Sequence, residues 1–123
     1  MTVMTYADAA KAALAEEMRR DPLVWAVGED LGRGGVFGQY KGLVEEFGSE
    51  RISDAPISEA AIMGASVGAA MAGTRPVVEM RFADFALCAV DELVTILSEP
   101  KRPQPSGTEV GMALWVYESH FEL

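Results

Sequence analysis

Apolar residues along the chain fall alternately into helix-spaced stripes and short unbroken runs. After Thr5, a residue suited to capping, the segment Tyr6 to Arg20 places Tyr6, Ala10, Ala13, Leu14 and Met18 near one face and ends on two arginines, as an amphipathic helix does. Leu23-Val24-Trp25-Ala26-Val27 is a continuous apolar run closed by Gly28-Glu29-Asp30, the pattern of a buried strand. Five glycines between Leu31 and Gly42 predict a ligand-hugging or mobile loop without phosphate-loop spacing. A short helix over 41–47 stopped by Gly48 and a short strand over 51–53 follow, before Asp54-Ala55-Pro56. A helix over 58–73 then carries Gly64 and Gly68 on one face, which predicts close helix packing. The strand 75–80 and a helix over 82–98, with Phe85, Ala89, Leu93, Ile96 and Leu97 near one stripe, continue the alternation. Three prolines make 99–108 a loop, and 110–117 reads as a last strand.

Strands alternating with helices predict an α/β fold: a parallel β-sheet with helices on both faces. In such sheets ligands sit beyond the carboxyl ends of the strands. Three segments reach that edge: 28–30, 53–59 and 80–85. The middle one carries Glu59.

Composition narrows the field. A half-apolar chain of 123 residues suits one ordinary domain. One cysteine, Cys88, excludes an internal disulfide and favours a reducing, cytoplasmic setting. A formal net charge of −9 without a clustered basic face argues against nucleic acid as a partner. The N-terminus lacks the pattern of a signal peptide, and the longest apolar-rich stretch, 60–73, is too short for a bilayer, so no membrane association is expected.

The only histidine, His120, lies in the tail, and no CxxC, HExxH or nucleophile elbow is present, so metal and triad chemistry lack parts. Glu59 opens a glycine-rich helix after a strand and a proline. From the residues alone it is equally a helix-start acid facing the positive end of the dipole or a functional carboxylate. Asp54, Glu29 and Asp30 read as solvated loop acids or local hydrogen-bond acceptors, Phe85 as core, and Cys88 as a buried inert thiol.

The ordered series GED, GGVFG, KGL…FG, PISEA, GASVGAAMAG, RPVVE and FADF…D, spanning about Val3 to Val94, closely resembles the beta subunit of thiamine diphosphate-dependent 2-oxo acid dehydrogenases of the pyruvate, branched-chain and acetoin type. No single piece is decisive, but their joint order and spacing are. The resemblance implies a transketolase-like pyrimidine-binding domain over the whole chain, well matched in 1–98 and divergent in 99–123. It implies that the PISE glutamate, Glu59, hydrogen-bonds the aminopyrimidine ring nitrogen para to the amino group. Stabilising the imino tautomer would make the exocyclic nitrogen a base for the thiazolium carbon. Ile57 and Phe85 are implied as ring contacts, Phe85 by stacking, and Glu29 as a neighbour of Glu59. The family's GDG…N motif for the diphosphate and Mg2+ lies on an alpha subunit, so the cofactor is implied to be shared in an alpha2-beta2 assembly docked on a dihydrolipoyl acyltransferase core.

Beyond Val94 the sequence TILSEPKRPQPSGTEVGMALWVYESHFEL departs from that family, and the family's C-terminal domain is not matched. The expectation is a truncation or frameshift, leaving a fold incomplete at the C-terminus. Two further readings stand beside the enzyme subunit: a noncatalytic fragment that keeps the fold or a partner-binding surface, and another transketolase-like enzyme.

Overall fold

The computed structural model describes residues 3–98 and 113–116, with side chains described for 3–94. In chain order the elements are α1 (Tyr6–Arg20), β1 (Val24–Gly28), a short 3-10 turn (Leu31–Arg33), α2 (Leu43–Phe47), β2 (Ile52–Asp54), α3 (Glu59–Met71), β3 (Arg75–Met80), a 3-10 segment (Ala83–Ala89), α4 (Val90–Ser98) and β4 (Ala113–Val116). β4 is the described part of the strand expected over 110–117. The loop expected over 99–108 and His120 lie outside the described residues.

All strand pairs are parallel, and the sheet order is β2-β1-β3-β4. Residue alternation along β1 divides the core. Val24 and Ala26 join Leu14, Ala15 and Met18 of α1 with Leu31, Tyr40, Leu43 and Ile52 on one face. Val27 joins Ile62 and Met63 of α3, Val78, Met80 and Ala89 on the other. The expected parallel sheet with helices on both faces is borne out. No helix among the described residues is long and apolar enough to cross a membrane.

Thr5 caps α1 as expected, its hydroxyl accepting from the Asp8 N–H at 3.1 Å. The buried face of that helix is Leu14, Ala15 and Met18, whereas Tyr6 and Ala13, expected on it, are exposed, because only the C-terminal half of α1 contributes to the core. The end of α1 is secured by Arg51. Its guanidinium donates to the carbonyl oxygens of Met18 at 2.7 Å, Asp21 at 2.9 Å and Val24 at 2.6 Å. It also lies 5.3 Å from the centroid of the Phe47 ring. One side chain thus satisfies carbonyls at a helix end and a strand start while tying both to α2.

The single helix expected over 82–98 is two segments. A 3-10 segment brings residues three apart into register, and Phe82 and Phe85 use this spacing to meet edge to face at 5.5 Å. The small-residue face of α3 is also less crowded than its spacing predicts. A Cβ at Gly64 would meet the Glu92 side chain at an ordinary 3.6 Å, and one at Gly68 would meet nothing within 4 Å among the described residues.

Arg51→Met removes donors from partly buried carbonyls and is expected to cost about 2–3 kcal/mol in urea unfolding. Arg75→Ala, which removes an exposed partner of Asp21, is expected to cost under about 1 kcal/mol in the same measurement.

Candidate functional site

In the order β2-β1-β3-β4 the chain leaves β1 for one neighbour and later returns to the other side of it. The change of direction therefore falls between β1 and β3, where a doubly wound sheet opens a crevice beyond its strand ends. Gly28, Glu29 and Asp30 follow β1 at this place, and Glu79, Arg81 and Phe82 come from the end of β3.

Glu29, expected to be a solvated loop acid or a local hydrogen-bond acceptor, is not solvated: it is only 8 % exposed. The cause is Arg81, which β3 carries to the same edge. Its Nη2 lies 3.3 Å from Glu29 Oε2 and 2.9 Å from Asp30 Oδ2. Asp30 adopts a left-handed backbone at φ 58°, and its carbonyl oxygen accepts from the N–H groups of Arg33 and Gly35, which fold the glycine-rich segment back over the strand end. That segment is compact: Tyr40 N–H donates to the Gly34 carbonyl at 2.8 Å, and Gln39 and Tyr40 are fully buried beneath it. Asp54 is exposed, as expected of a loop acid, and accepts from Gly32 N–H at 2.8 Å, joining the loops after β1 and β2.

The sequence reading passed over Glu79. It is 4 % exposed and stands against Gly28, where a Cβ would come 2.7 Å from Glu79 Cβ and 2.8 Å from its Oε2. Burial pushes its carboxyl above the ordinary glutamate value, and the charges of Glu29 and Asp30 add to the rise. The Glu29 backbone N–H donating to it and the Arg81 guanidinium pull the other way. Tyr40, on the same face, has its hydroxyl pKa raised by burial and by the charge of Glu79. The available signal was a lone acid inside RPVVEM, a strand otherwise apolar on both sides after its first residue.

Glu59 occupies the first turn of α3, with Ser58 at the N-cap. It is half-buried and faces the positive end of the helix dipole, and among the described residues its side chain makes no hydrogen bond or ion pair. Ile57, just before it, is 79 % exposed. Phe85, expected in the core, is 37 % exposed and ends a row of rings: Phe37 meets Phe82 at 6.2 Å, and Phe82 meets Phe85. Cys88, expected to be buried, is exposed, because the 3-10 segment turns Ala89 inward in its place. The structure thus joins Glu29 to Arg81, Asp30 and Glu79 by contact. Ile57 and Glu59 follow the end of β2 and Phe85 follows the end of β3, with Ile57 and Phe85 exposed and Glu59 half-buried. No group of three His, Cys, Asp or Glu residues suited to a metal ion occurs among the described residues.

Residues 2–114 match the family model described as transketolase, pyrimidine binding domain. The chain is 52 % identical over 96 residues to the 2-oxoisovalerate dehydrogenase subunit beta of Bacillus subtilis, covering 77 % of this chain and 29 % of that protein. It is 42 % identical over 108 residues to the mitochondrial pyruvate dehydrogenase E1 component subunit beta of Dictyostelium discoideum, covering 87 % and 30 %. The corresponding protein of Rhizobium meliloti is 39 % identical over 112 residues, covering 90 % and 24 %. The chain therefore spans less than a third of the length of these relatives. The resemblance read from the sequence is borne out.

Because the Glu79 pKa is higher in the folded than in the unfolded chain, its contribution to stability is fully present below the ordinary value of 4.5 and is lost as pH rises through the folded value. Urea unfolding across pH 4.5 to 8 is expected to show wild-type stability falling relative to Glu79→Gln, which has no proton to lose. Parallel curves for the two proteins would remove the assignment.

Proposed function

We propose, for a chain that belongs to the transketolase pyrimidine-binding domain family, that it forms the pyrimidine-binding part of a 2-oxo acid dehydrogenase beta subunit with Glu59 as the cofactor-facing carboxyl group. The observation that carries this reading is the half-buried Glu59 side chain, free of internal partners among the described residues, at the start of α3. A half-buried carboxyl with no partner among the described residues keeps its hydrogen-bonding oxygens available for a ligand's polar nitrogen.

The residues present fit a flat heteroaromatic ring. Glu59 offers a hydrogen-bonding oxygen, and Phe85 offers a ring face or edge that the Phe82 contact holds in place. The exposed Ile57 side chain offers an apolar surface one residue before the helix cap. Glu29, fixed by Arg81, contributes a second carboxyl group at the neighbouring strand end. When bound, thiamine diphosphate supplies the electron sink for decarboxylating a 2-oxo acid, with acyl transfer to lipoamide following. The task of Glu59 is to hydrogen-bond the pyrimidine and hold a proton there, and that of Phe85 and Ile57 is to keep water from that bond.

In this reading residues 1–123 constitute the pyrimidine-binding domain, with 1–98 the well-matched part and 99–123 a divergent tail. The diphosphate and its Mg2+ are held by an alpha subunit, because the sequence carries no GDG…N motif. An alpha2-beta2 assembly and a dihydrolipoyl acyltransferase core are the corresponding partners, and the similarity to 2-oxoisovalerate and pyruvate dehydrogenase beta subunits supports the pairing with an alpha subunit.

The test mixes the chain with the alpha subunit of such a dehydrogenase and measures association, thiamine diphosphate binding by calorimetry, and hydrogen–deuterium exchange at the cofactor's acidic carbon. Glu59→Gln is expected to leave association intact and to slow that exchange by about 10²–10⁴-fold. Equal exchange in the two proteins, or no association of the wild-type chain, would sink the proposal.

A further inference from the structure

Glu29, Asp30 and Glu79 bring three carboxyl groups to the β1–β3 strand ends, and one guanidinium, Arg81, meets them. The Arg81 Nη2 is committed to Glu29 and Asp30. Among the described residues, Glu79 Oε2 and Arg81 Nε are buried without a hydrogen-bond partner. The surroundings of Glu79 offer little more to offset a charge. Tyr40 faces it from the glycine-rich loop, and Glu29 and Asp30 from the end of β1. Arg81 follows the end of its own strand, and the adjoining β4, Ala113–Val116, has no titratable residue in its sequence.

An uncompensated charge in such a place is far more costly than an unfulfilled neutral hydroxyl. If all three acids ionised, two negative charges would go unmatched. With one acid neutral, a single negative charge remains, shared between Glu29 and Asp30, of which Asp30 reaches solvent. Glu79 is the acid without a direct ion pair and the more buried of the two glutamates. A carboxylic acid keeps an acceptor oxygen for the Glu29 N–H and places its proton on the other oxygen.

We propose that Glu79 is a positioning residue for Glu29: it stands as a neutral carboxylic acid beneath the β1–β3 crevice and holds the Glu29 backbone, while Arg81 holds the Glu29 carboxylate. Its relevance to the cofactor rests on the reading above that Glu29 belongs to the site. Glu29 is thereby gripped at both ends, and its charge is not repelled by the acid directly below it. Gly28 is part of the same device, because any side chain there would displace Glu79.

The experiment is nuclear magnetic resonance on the 123-residue chain without cofactor. In protein carrying 13C-labelled glutamate, one side-chain carboxyl carbon is expected to keep the neutral-acid shift at pH 7 and to be missing from Glu79→Gln. The Glu29 amide proton is expected to move as that carboxyl titrates, and to stay unmoved over the same range in Glu79→Gln. Its exchange with deuterium should remain slow in Glu79→Gln, which keeps a carbonyl acceptor, and quicken about tenfold or more in Glu79→Ala. An ionised Glu79 at pH 7, or a Glu29 amide indifferent to its titration, overturns the proposal. Both are read in the wild-type chain, so the outcome survives a failure of Glu79→Ala to fold. No thiamine diphosphate binding by the wild-type chain in calorimetry with an alpha subunit, with the Glu29 amide still coupled to Glu79 in the cofactor-free chain, counts against the cofactor reading alone.

Discussion

The parallel pairing of β1 with β3 brings Gly28 against Glu79, and the missing side chain at 28 makes the functional edge of the sheet possible. With no Cβ in the way, a carboxyl group fits beneath the strand ends where the sheet order changes direction. Glu29 and Asp30 then emerge directly above it, and Arg81, two residues after Glu79, reaches both. The backbone turn at Asp30 also depends on this arrangement. Its left-handed conformation is held by hydrogen bonds that its carbonyl accepts from the Arg33 and Gly35 N–H groups, while its carboxylate is held by Arg81.

The rest of the domain serves to fix that pair of strands. Leu14 and Met18 of α1 cover one face of β1, and Ile62 and Met63 of α3 lie on the other. Arg51 closes the opposite end, satisfying carbonyls of α1 and β1 from the loop that leads into β2. Rigid support on both faces gives the strand ends a defined geometry, and the carboxyl edge is left to loops. Those loops are themselves stapled, as by the Gly32 N–H to Asp54 bond between the β1 and β2 edges. Side chains placed on so constrained a frame lose little further freedom when a ligand orders them.

The order of elements was legible because each buried run has its own period and its own stop: Gly28 after β1, Pro56 after β2, Gly73 after α3. Boundaries shifted where tertiary contacts intervened. The rings of Phe82 and Phe85 favour a 3-10 spacing that periodicity reads as ordinary helix, and this displaced Phe85 and Cys88 from the burial expected of them. Glu59 was legible as an acid at a helix start, and the PISEA setting lent it a role. That its side chain has no partner among the described residues is a fact of three dimensions. Glu79 and Arg81 were not legible as a cluster with Glu29, because 50 residues separate Glu29 from Glu79 and only the strand pairing brings them together. Local sequence rules cannot see such a contact, although an acid inside an apolar strand marks the place to look.

The two kinds of carboxyl group at this edge divide the work that an active site requires. Glu29 is enclosed and held, with its charge met from within the chain, so its position is settled before any ligand arrives. Glu59 is the reverse: half-buried, internally unpaired among the described residues, and flanked by the exposed Ile57. Leu87 and Val90, also exposed, extend apolar surface along the segment that follows Phe85. Scattered apolar residues alone say little. Beside an acid that the protein leaves unmatched, however, they describe one wall of a site whose opposite wall must exclude water before the carboxyl group can bind a polar ring nitrogen strongly. Under the proposed function that wall belongs to the alpha subunit. The chain then prearranges its own acids and leaves one hydrogen-bonding position open, to be completed by cofactor and partner together.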